Sequence, residues 1–175
     1  MNELSLEETC YMAGFIDGEG YMGIIKRFHT NQKGKWVGFT MNLEIGNTNL
    51  EVLEYTKSIC DSGSIYKKKR SGNRKQAWAY MICGKDAQNL VKQIYPYLIV
   101  KKEIADVFLR FPFSGQGNRN KQIDLKNELH TQAKIINFRG NTELKKVQRL
   151  TGEELYSNKP DTRIAPEKDD IVRAN

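Results

Sequence analysis

Soft metal ligands and disulfide-forming residues are scarce in this sequence. Its 175 residues include 3 cysteines, 2 histidines and 4 prolines, and no two cysteines have the CxxC spacing. This scarcity excludes a zinc finger, a His-rich metal nuclease and a disulfide-stapled secreted domain. Cys10, Cys60 and Cys83 are odd in number and have apolar neighbours, which predicts buried thiols in a reducing compartment. Oxygen atoms remain as metal ligands, and they suit Mg²⁺.

Long apolar runs and a signal-peptide pattern are also missing. We therefore expect an intracellular protein without a membrane partner. Its compartment stays open between an organelle (mitochondrion or chloroplast) and bacterial or phage cytoplasm. The 28 basic residues exceed the 21 acidic ones and give a net charge of +7. Such an excess favours a polyanionic partner over a small-molecule substrate, although a uniformly basic surface would give the same total.

The segment from Tyr11 to Gly20 places glycine inside a helical pattern and carboxylates at its end. Gly14 lies inside the predicted helix at a cost of about 1 kcal/mol relative to alanine. Gly14 and Gly18 stand four residues apart and so share one helix face. Asp17 and Glu19 lie at the partly negative end of the predicted helix, which is unfavourable unless a positive charge is near. A divalent cation would supply that charge. The alternative is an ordinary core helix that ends at a Gly-rich turn.

Residues 12–20 resemble the signature of the LAGLIDADG homing endonucleases, and six of the nine signature positions match strictly or nearly so. The resemblance implies that the motif helices of two half-domains pack together and that Glu19, in the eighth position, binds a catalytic Mg²⁺, for which Mn²⁺ can substitute. The backbone carbonyl of Gly18 is the expected second ligand. Glu19 is one methylene longer than the Asp of the signature. The sequence has a single motif, so we expect the partner helix to come from a second copy, with an interface at Ala13, Gly14, Asp17 and Gly18.

The order of the elements predicts an α+β fold with the order αββαββα, which is that of one LAGLIDADG half-domain. An antiparallel four-stranded sheet would bind DNA on one face and be backed by helices on the other. Capping boxes at Ser5 and Thr48 open the two first helices. The expected helices cover 6–17, 48–60, 90–98, 104–111, 121–137 and 142–155, and the expected strands cover 21–29, 36–45, 64–70 and 76–83. The endonuclease domain would be 1–156, with a core at 5–113 and a helical extension at 118–156, followed by a flexible tail at 157–175.

Strand alternation predicts which side chains read DNA. Thr40, Asn42 and Glu44 share the face opposite Met41, Leu43 and Ile45, and a two-stranded ribbon fits the major groove. Glu44 would accept from cytosine or pair with a lysine. The lysine-rich run 67–70 would contact phosphate, or would only protect a sheet edge. The remaining candidates on the strands and hairpin tips are Arg27, His29, Lys33, Lys35, Tyr66, Lys68, Arg70, Arg74, Lys75, Trp78 and Tyr80. The resemblance adds Arg139, in a basic loop that would touch the DNA backbone.

The resemblance implies two further catalytic residues. Lys101 follows a Pro-aromatic-Leu segment, as a lysine at the catalytic centre does in single-motif relatives, and would stabilise the attacked phosphate or orient the water. Asn47 occupies the place of an amide residue that organises active-site water. Their alternatives are a surface lysine beside Lys102 and a helix-capping asparagine. Asp17 is expected to be structural rather than a metal ligand.

Together these features predict a Mg²⁺-dependent, site-specific endonuclease. As a homodimer it would hydrolyse phosphodiesters in both strands of a long pseudo-palindromic target, the activity used in intron homing. Two alternatives stay open, an intron RNA maturase and a DNA-binding protein that has lost cleavage. The polar strand faces suit base edges in a duplex better than A-form RNA, and the presence of Glu19 and Lys101 favours an enzyme.

Overall fold

A computed structural model describes residues 3–32, 34–69, 72–113 and 119–138. The chain has the predicted α+β order. Its elements are α1 (Leu6–Glu19), β1 (Gly20–Asn31), β2 (Gly34–Asn47), α2 (Leu50–Cys60), β3 (Ser64–Lys67), β4 (Trp78–Cys83), α3 (Gly84–Ile94), a 3-10 turn (Tyr95–Tyr97), α4 (Lys102–Leu109) and α5 (Arg119–Asn137). None of the helices in these ranges is long and apolar enough to cross a membrane.

The predicted capping box at Ser5 is confirmed at the start of α1. The backbone N–H of Glu8 donates to Ser5 Oγ at 3.2 Å, and the backbone N–H of Ser5 donates to Glu8 Oε2 at 2.8 Å. At the other end, a Cβ on Gly20 would lie 2.6 Å from the carbonyl oxygen of Ile16. Only glycine therefore allows the chain to pass directly from α1 into β1.

The four strands form one antiparallel sheet in the order β1-β2-β4-β3. Leu43, at its centre, pairs with Met22 on β1 and with Ile82 on β4. These three side chains are buried, as are Met41 and Ile45. The predicted core face of β2 is thus confirmed, and the helices cover this face while the opposite face stays open.

Several local predictions are wrong. Helix α2 is capped by Asn49 rather than Thr48, because the backbone N–H of Glu51 donates to Asn49 Oδ1 at 3.0 Å. Two of the three thiols predicted to be buried are exposed. Cys10 lies on the outer face of α1, four residues before Gly14, and Cys83 ends β4 on the side opposite buried Ile82. Only Cys60 is buried.

Helix α5 covers the outer edge of β1. The Asn137 side chain donates from Nδ2 to the backbone carbonyl of Met22 at 2.7 Å, which satisfies an acceptor on the edge strand. The helix predicted for 121–137 is thus present. The predicted helix at 142–155, the basic loop with Arg139 and the tail at 157–175 lie outside the described residues.

Candidate active site and nucleic-acid interface

The carboxylate of Asp17 binds a loop that is distant in sequence. It accepts hydrogen bonds from the backbone N–H groups of Ile99 at 2.7 Å, Val100 at 3.1 Å and Lys101 at 2.9 Å. In return, Lys101 Nζ donates to the backbone carbonyl of Asp17. Residue 101 is therefore held at the C-terminal end of α1, at Asp17, two residues before Glu19. This geometry agrees with the expected structural role of Asp17.

The charges at this helix end compensate one another. Burial acts to raise the pKa of Asp17, but the three backbone donors and the Lys101 ammonium outweigh it and hold this pKa below its ordinary value. The Lys101 ammonium also lies against the partly negative carbonyl end of α1. It therefore supplies part of the positive charge that the acidic helix end requires.

Glu19 is the last residue of α1, and its side chain is exposed. Among the described residues, none forms a hydrogen bond or an ion pair with this carboxylate. The same ranges contain no cluster of three His, Cys, Asp or Glu residues that could hold a metal. One chain thus offers the Glu19 carboxylate and the Gly18 carbonyl. Oxygen ligands fit Mg²⁺, which usually keeps several waters and completes its shell with phosphate oxygens.

Asn47 ends β2 near the same end of the sheet. Gly20 pairs with Ile45, so Asn47 stands two residues further along β2, at the edge where α1 enters the sheet. Its Oδ1 accepts the backbone N–H of Asn49 at 2.9 Å. This hydrogen bond makes Asn47 a turn residue before α2. The helix-capping alternative is wrong, because Asn49 caps α2.

The outer face of α1 is bare. A Cβ added at Gly14 or Gly18 would meet nothing within 4 Å. Exposed Cys10 lies on the same face. Ala13, however, is 1% exposed and belongs to the core of its own chain. Its predicted place in a dimer interface is therefore contradicted, because α1 turns this residue inward.

The open face of the sheet carries most of the side chains predicted there. On β1, Arg27 and His29 pair with Gly38 and Trp36 of β2, in phase with Thr40 and Glu44. Asn42 shares this face but is 5% exposed, and its Oδ1 accepts from the Cys83 thiol at 3.3 Å. The orientation of this set is confirmed, and its contact with DNA stays a prediction. For Asn42, burial leaves little surface for a base.

The predicted orientation of two aromatic residues is wrong. Tyr80 pairs with Ile45, and Trp78 pairs with Asn47, so both point toward the helices. Tyr80 is 0% exposed, and its hydroxyl donates to the carbonyl of Ser62 at 2.9 Å. Trp78 is partly buried against the same core. Neither residue can read DNA from the open face.

Glu44 is paired with residues from β3 and the segment after it. Its Oε1 lies 2.8 Å from Lys68 Nζ, and its Oε2 accepts the Tyr66 hydroxyl at 2.8 Å. Burial, and then the Glu44 carboxylate, raise the pKa of Tyr66 to about 12. Of the two roles open to Glu44, the ion pair with a neighbouring lysine is the one observed.

The hairpin tips are exposed. Lys35, Arg74 and Lys75 lie in or beside them, whereas Lys33, Arg70 and Arg139 lie outside the described residues. Trp36 is a further candidate DNA contact that the sequence prediction did not include. It is 47% exposed and stacks on His29, with ring centroids 5.1 Å apart and an interplanar angle of 15°. Its alternation with Thr40 on β2 was the available signal.

We predict that Asp17→Asn loosens the loop at 99–101. An amide has one acceptor oxygen, so at least one of the three backbone N–H groups loses its partner. At this partly exposed site we expect a loss of about 1 kcal/mol of stability at neutral pH. Because the folded-state pKa is lowered, the contribution of the carboxylate is complete above the ordinary pKa and disappears as pH falls through the lowered one. Thermal unfolding of both proteins across this pH range measures the difference.

Asp124→Asn, at an exposed carboxylate on α5, is the matched control. Its Tm difference from the wild type should be small at every pH. A difference between wild type and Asp17→Asn that stays constant into acid would contradict a role for the ionised carboxylate.

A family model described as LAGLIDADG endonuclease matches residues 12–111. The fold is similar to that of an archaeal intron-encoded homing endonuclease, I-Vdi141I, solved with DNA, at 22% identity and a TM-score of 0.58 over 77% of this chain and 87% of that one. I-CvuI, solved with the I-CreI target, gives 15% identity and a TM-score of 0.52 over 85% and 97% of the two chains. The homing endonuclease I-TnaI gives 17% identity and a TM-score of 0.51 over 81% of this chain and 95% of that one.

No curated protein matches the chain by sequence. The matched segment nevertheless covers more than half of the 175 residues, and it begins inside α1 and ends just after α4. It includes Asp17, Glu19 and Lys101 and all four strands. The chain belongs to the LAGLIDADG endonuclease family.

Proposed function

We propose that this protein is a Mg²⁺-dependent endonuclease that cuts both strands of a specific DNA duplex as a homodimer. One observation carries the proposal. Asp17 holds Lys101 at the end of α1 where Glu19 is exposed, and the same helix has a bare outer face. A cation, a carboxylate and a surface for a second helix are thus combined at one place.

The Glu19 carboxylate and the Gly18 carbonyl would hold Mg²⁺. When bound, this ion polarises the phosphate and lowers the pKa of a coordinated water. The ammonium of Lys101 would stabilise the negative charge that develops on the phosphate as the water oxygen bonds to phosphorus. The ester P–O bond breaks, the attacking water releases one proton to solvent, and the leaving oxygen takes one proton from solvent. Asp17 acts on this step only by positioning Lys101.

The bare face of α1 supports self-association. One chain provides a single Glu19, and an open helix face carrying Gly14 and Gly18 permits close approach of another α1. Two-fold symmetry would bring two equivalent sites together and would match a pseudo-palindromic target.

The open sheet face supports a duplex as the substrate. Strands β1 and β2 have 12 and 14 residues and form a long two-stranded ribbon, of the kind that enters a major groove. Arg27, His29, Thr40 and Trp36 share its open face. Solved neighbours with the same fold are described as bound to DNA.

Incubation of the protein with a library of randomised duplexes and Mg²⁺ tests this function. We expect both strands of one related set of sequences to be cut, and chelation of the metal to stop the cut. Binding of that set without cleavage in either Mg²⁺ or Mn²⁺ would indicate a non-cleaving DNA-binding protein. Preference for a structured intron RNA over every duplex would indicate a maturase.

We predict that Lys101→Met lowers the single-turnover cleavage rate by about 10²-fold or more, because it removes the positive charge beside the reacting phosphate. Affinity for the uncut target, measured without divalent cation, should change much less. Lys102→Met is the matched control, since it removes the adjacent lysine, whose ammonium lies 5.1 Å from the centre of the Tyr95 ring. Equal losses of rate and affinity in Lys101→Met would make Lys101 a DNA-backbone contact instead.

A further inference from the structure

Glu44 is an anionic side chain in the middle of a surface that would meet a polyanion. It lies on the central strand β2, in phase with Arg27, His29 and Thr40. Both of its oxygens are engaged, one by the Lys68 ammonium and one by the Tyr66 hydroxyl, each at 2.8 Å. The carboxylate is therefore fixed in place, and it neutralises one of the cations on this face.

The sheet is built so that Lys68 can reach Glu44. The two residues belong to the two sides of β4, and the Lys68 side chain must pass over that strand. Along its path, Ala79 of β4 is paired with Gly46 of β2, and both lack a long side chain. The Lys68 Nζ lies 3.0 Å from the position that a Cβ on Gly46 would occupy. Two small residues thus leave a channel for the lysine.

The pair is only partly shielded from solvent. The side chains of Lys68 and Glu44 are 42% and 22% exposed. An ion pair of this exposure is worth little and can exchange partners at small cost. A DNA phosphate beside Lys68 would compete with Glu44 for the same ammonium, at the loss of the Glu44 contact.

We propose that Glu44 is an internal competitor for DNA: it holds Lys68 on the protein and so weakens binding to any phosphate backbone that does not displace it. The proposal rests on the open sheet face being the DNA surface. Glu44 then acts as a specificity-determining residue. Sequences that place a hydrogen-bond donor beside Glu44, such as the amino group of cytosine, recover the lost energy, and random sequences do not.

The test measures affinity for a random-sequence duplex against salt concentration, without divalent cation. Glu44→Gln should raise affinity by roughly two- to fivefold, the range that a pair of this exposure spans. It should also steepen the salt dependence by about 0.9, the slope for one additional phosphate contact on B-DNA. Glu54→Gln, an equal charge change on the exposed side of α2, is the matched control.

Gly46→Ala tests the geometry without altering any charge. Its Cβ would meet only the flexible end of Lys68 within 3.8 Å, so the fold should tolerate the change while the ammonium moves away from Glu44. We expect the same increase in affinity and slope as in Glu44→Gln. In a Lys68→Met background, both increases should vanish, because no cation is left to release.

The outcomes separate this proposal from the proposed function. If the wild type binds duplex DNA, but Glu44→Gln and Gly46→Ala leave its affinity and salt dependence unchanged, Glu44 does not restrain Lys68. If Glu44→Gln raises DNA affinity equally in the wild-type and Lys68→Met backgrounds, Glu44 acts only by repelling the DNA phosphates. That result would also overturn the proposal. A wild type without affinity for duplex DNA would overturn both proposals.

Discussion

Glu19→Gln is expected to reduce the cleavage rate by about a thousandfold or more while leaving target affinity nearly unchanged. The amide keeps the shape of the side chain, but it is a poor ligand for Mg²⁺ and removes the negative charge that balances the ion. Because the Glu19 carboxylate is exposed and forms no bond within the described residues, its removal should not disturb folding. The rate is measured under single-turnover conditions, and the affinity with Ca²⁺ or without metal.

Glu7→Gln provides a matched control, since it makes the same change in the first turn of α1, at the opposite end of the helix. It should cleave at the wild-type rate and have a similar Tm. If Glu19→Gln cleaves at a rate within a few fold of the wild-type rate, Glu19 is not a ligand of the catalytic metal. Equal loss of cleavage and of fold, seen by thermal unfolding, would show a structural role instead.

The core could be predicted from the sequence wherever polar and apolar residues alternate. Met41, Leu43 and Ile45 stand between polar side chains, so only one register of β2 buries them. On β4 the sequence from Trp78 to Cys83 has no polar residue to fix its phase. Pairing with β2 decides the phase there, and it turns Tyr80 inward with Ile45.

Only part of the candidate site could be predicted from the sequence, for a related reason. Local pattern and family resemblance identified Glu19 and Lys101, and both lie at the end of α1. The contact that brings Lys101 to this helix end is a hydrogen bond between Asp17 and a loop more than 80 residues away in the sequence. The periodic pattern of apolar residues predicts helices and strands, but it does not predict a hydrogen bond between residues so far apart in the sequence. The ion pair between Glu44 and Lys68 likewise depends on the order of three strands and on the space above Gly46.

Gly14→Leu is expected to dissociate the proposed homodimer without destabilising the single chain. Nothing in the chain lies within 4 Å of the added Cβ, so the side chain causes no internal clash near the helix. Leucine is also a better helix former than glycine, which costs roughly 0.8–1 kcal/mol relative to alanine inside a helix. Between two closely packed α1 helices, however, each new side chain would cost about 1–3 kcal/mol, and two-fold symmetry doubles that cost. The dissociation constant should therefore rise by roughly thirtyfold or more, and cleavage of both strands should fall with it.

Sedimentation over a concentration series measures the dissociation constant. The alkylation rates of the exposed cysteines show whether the outer face of α1 is covered. Cys10 shares the outer face of α1 with Gly14, whereas Cys83 lies on the sheet. In the proposed dimer of the wild type, Cys10 should be slow to alkylate and become fast on dilution, while Cys83 provides an internal reference in the same chain. Gly14→Leu should make Cys10 fast at every concentration, and Gly14→Ala should have a smaller effect, because its methyl group demands less separation. A wild type that cleaves both strands as a monomer, with Cys10 freely reactive throughout, would show that α1 does not join two copies.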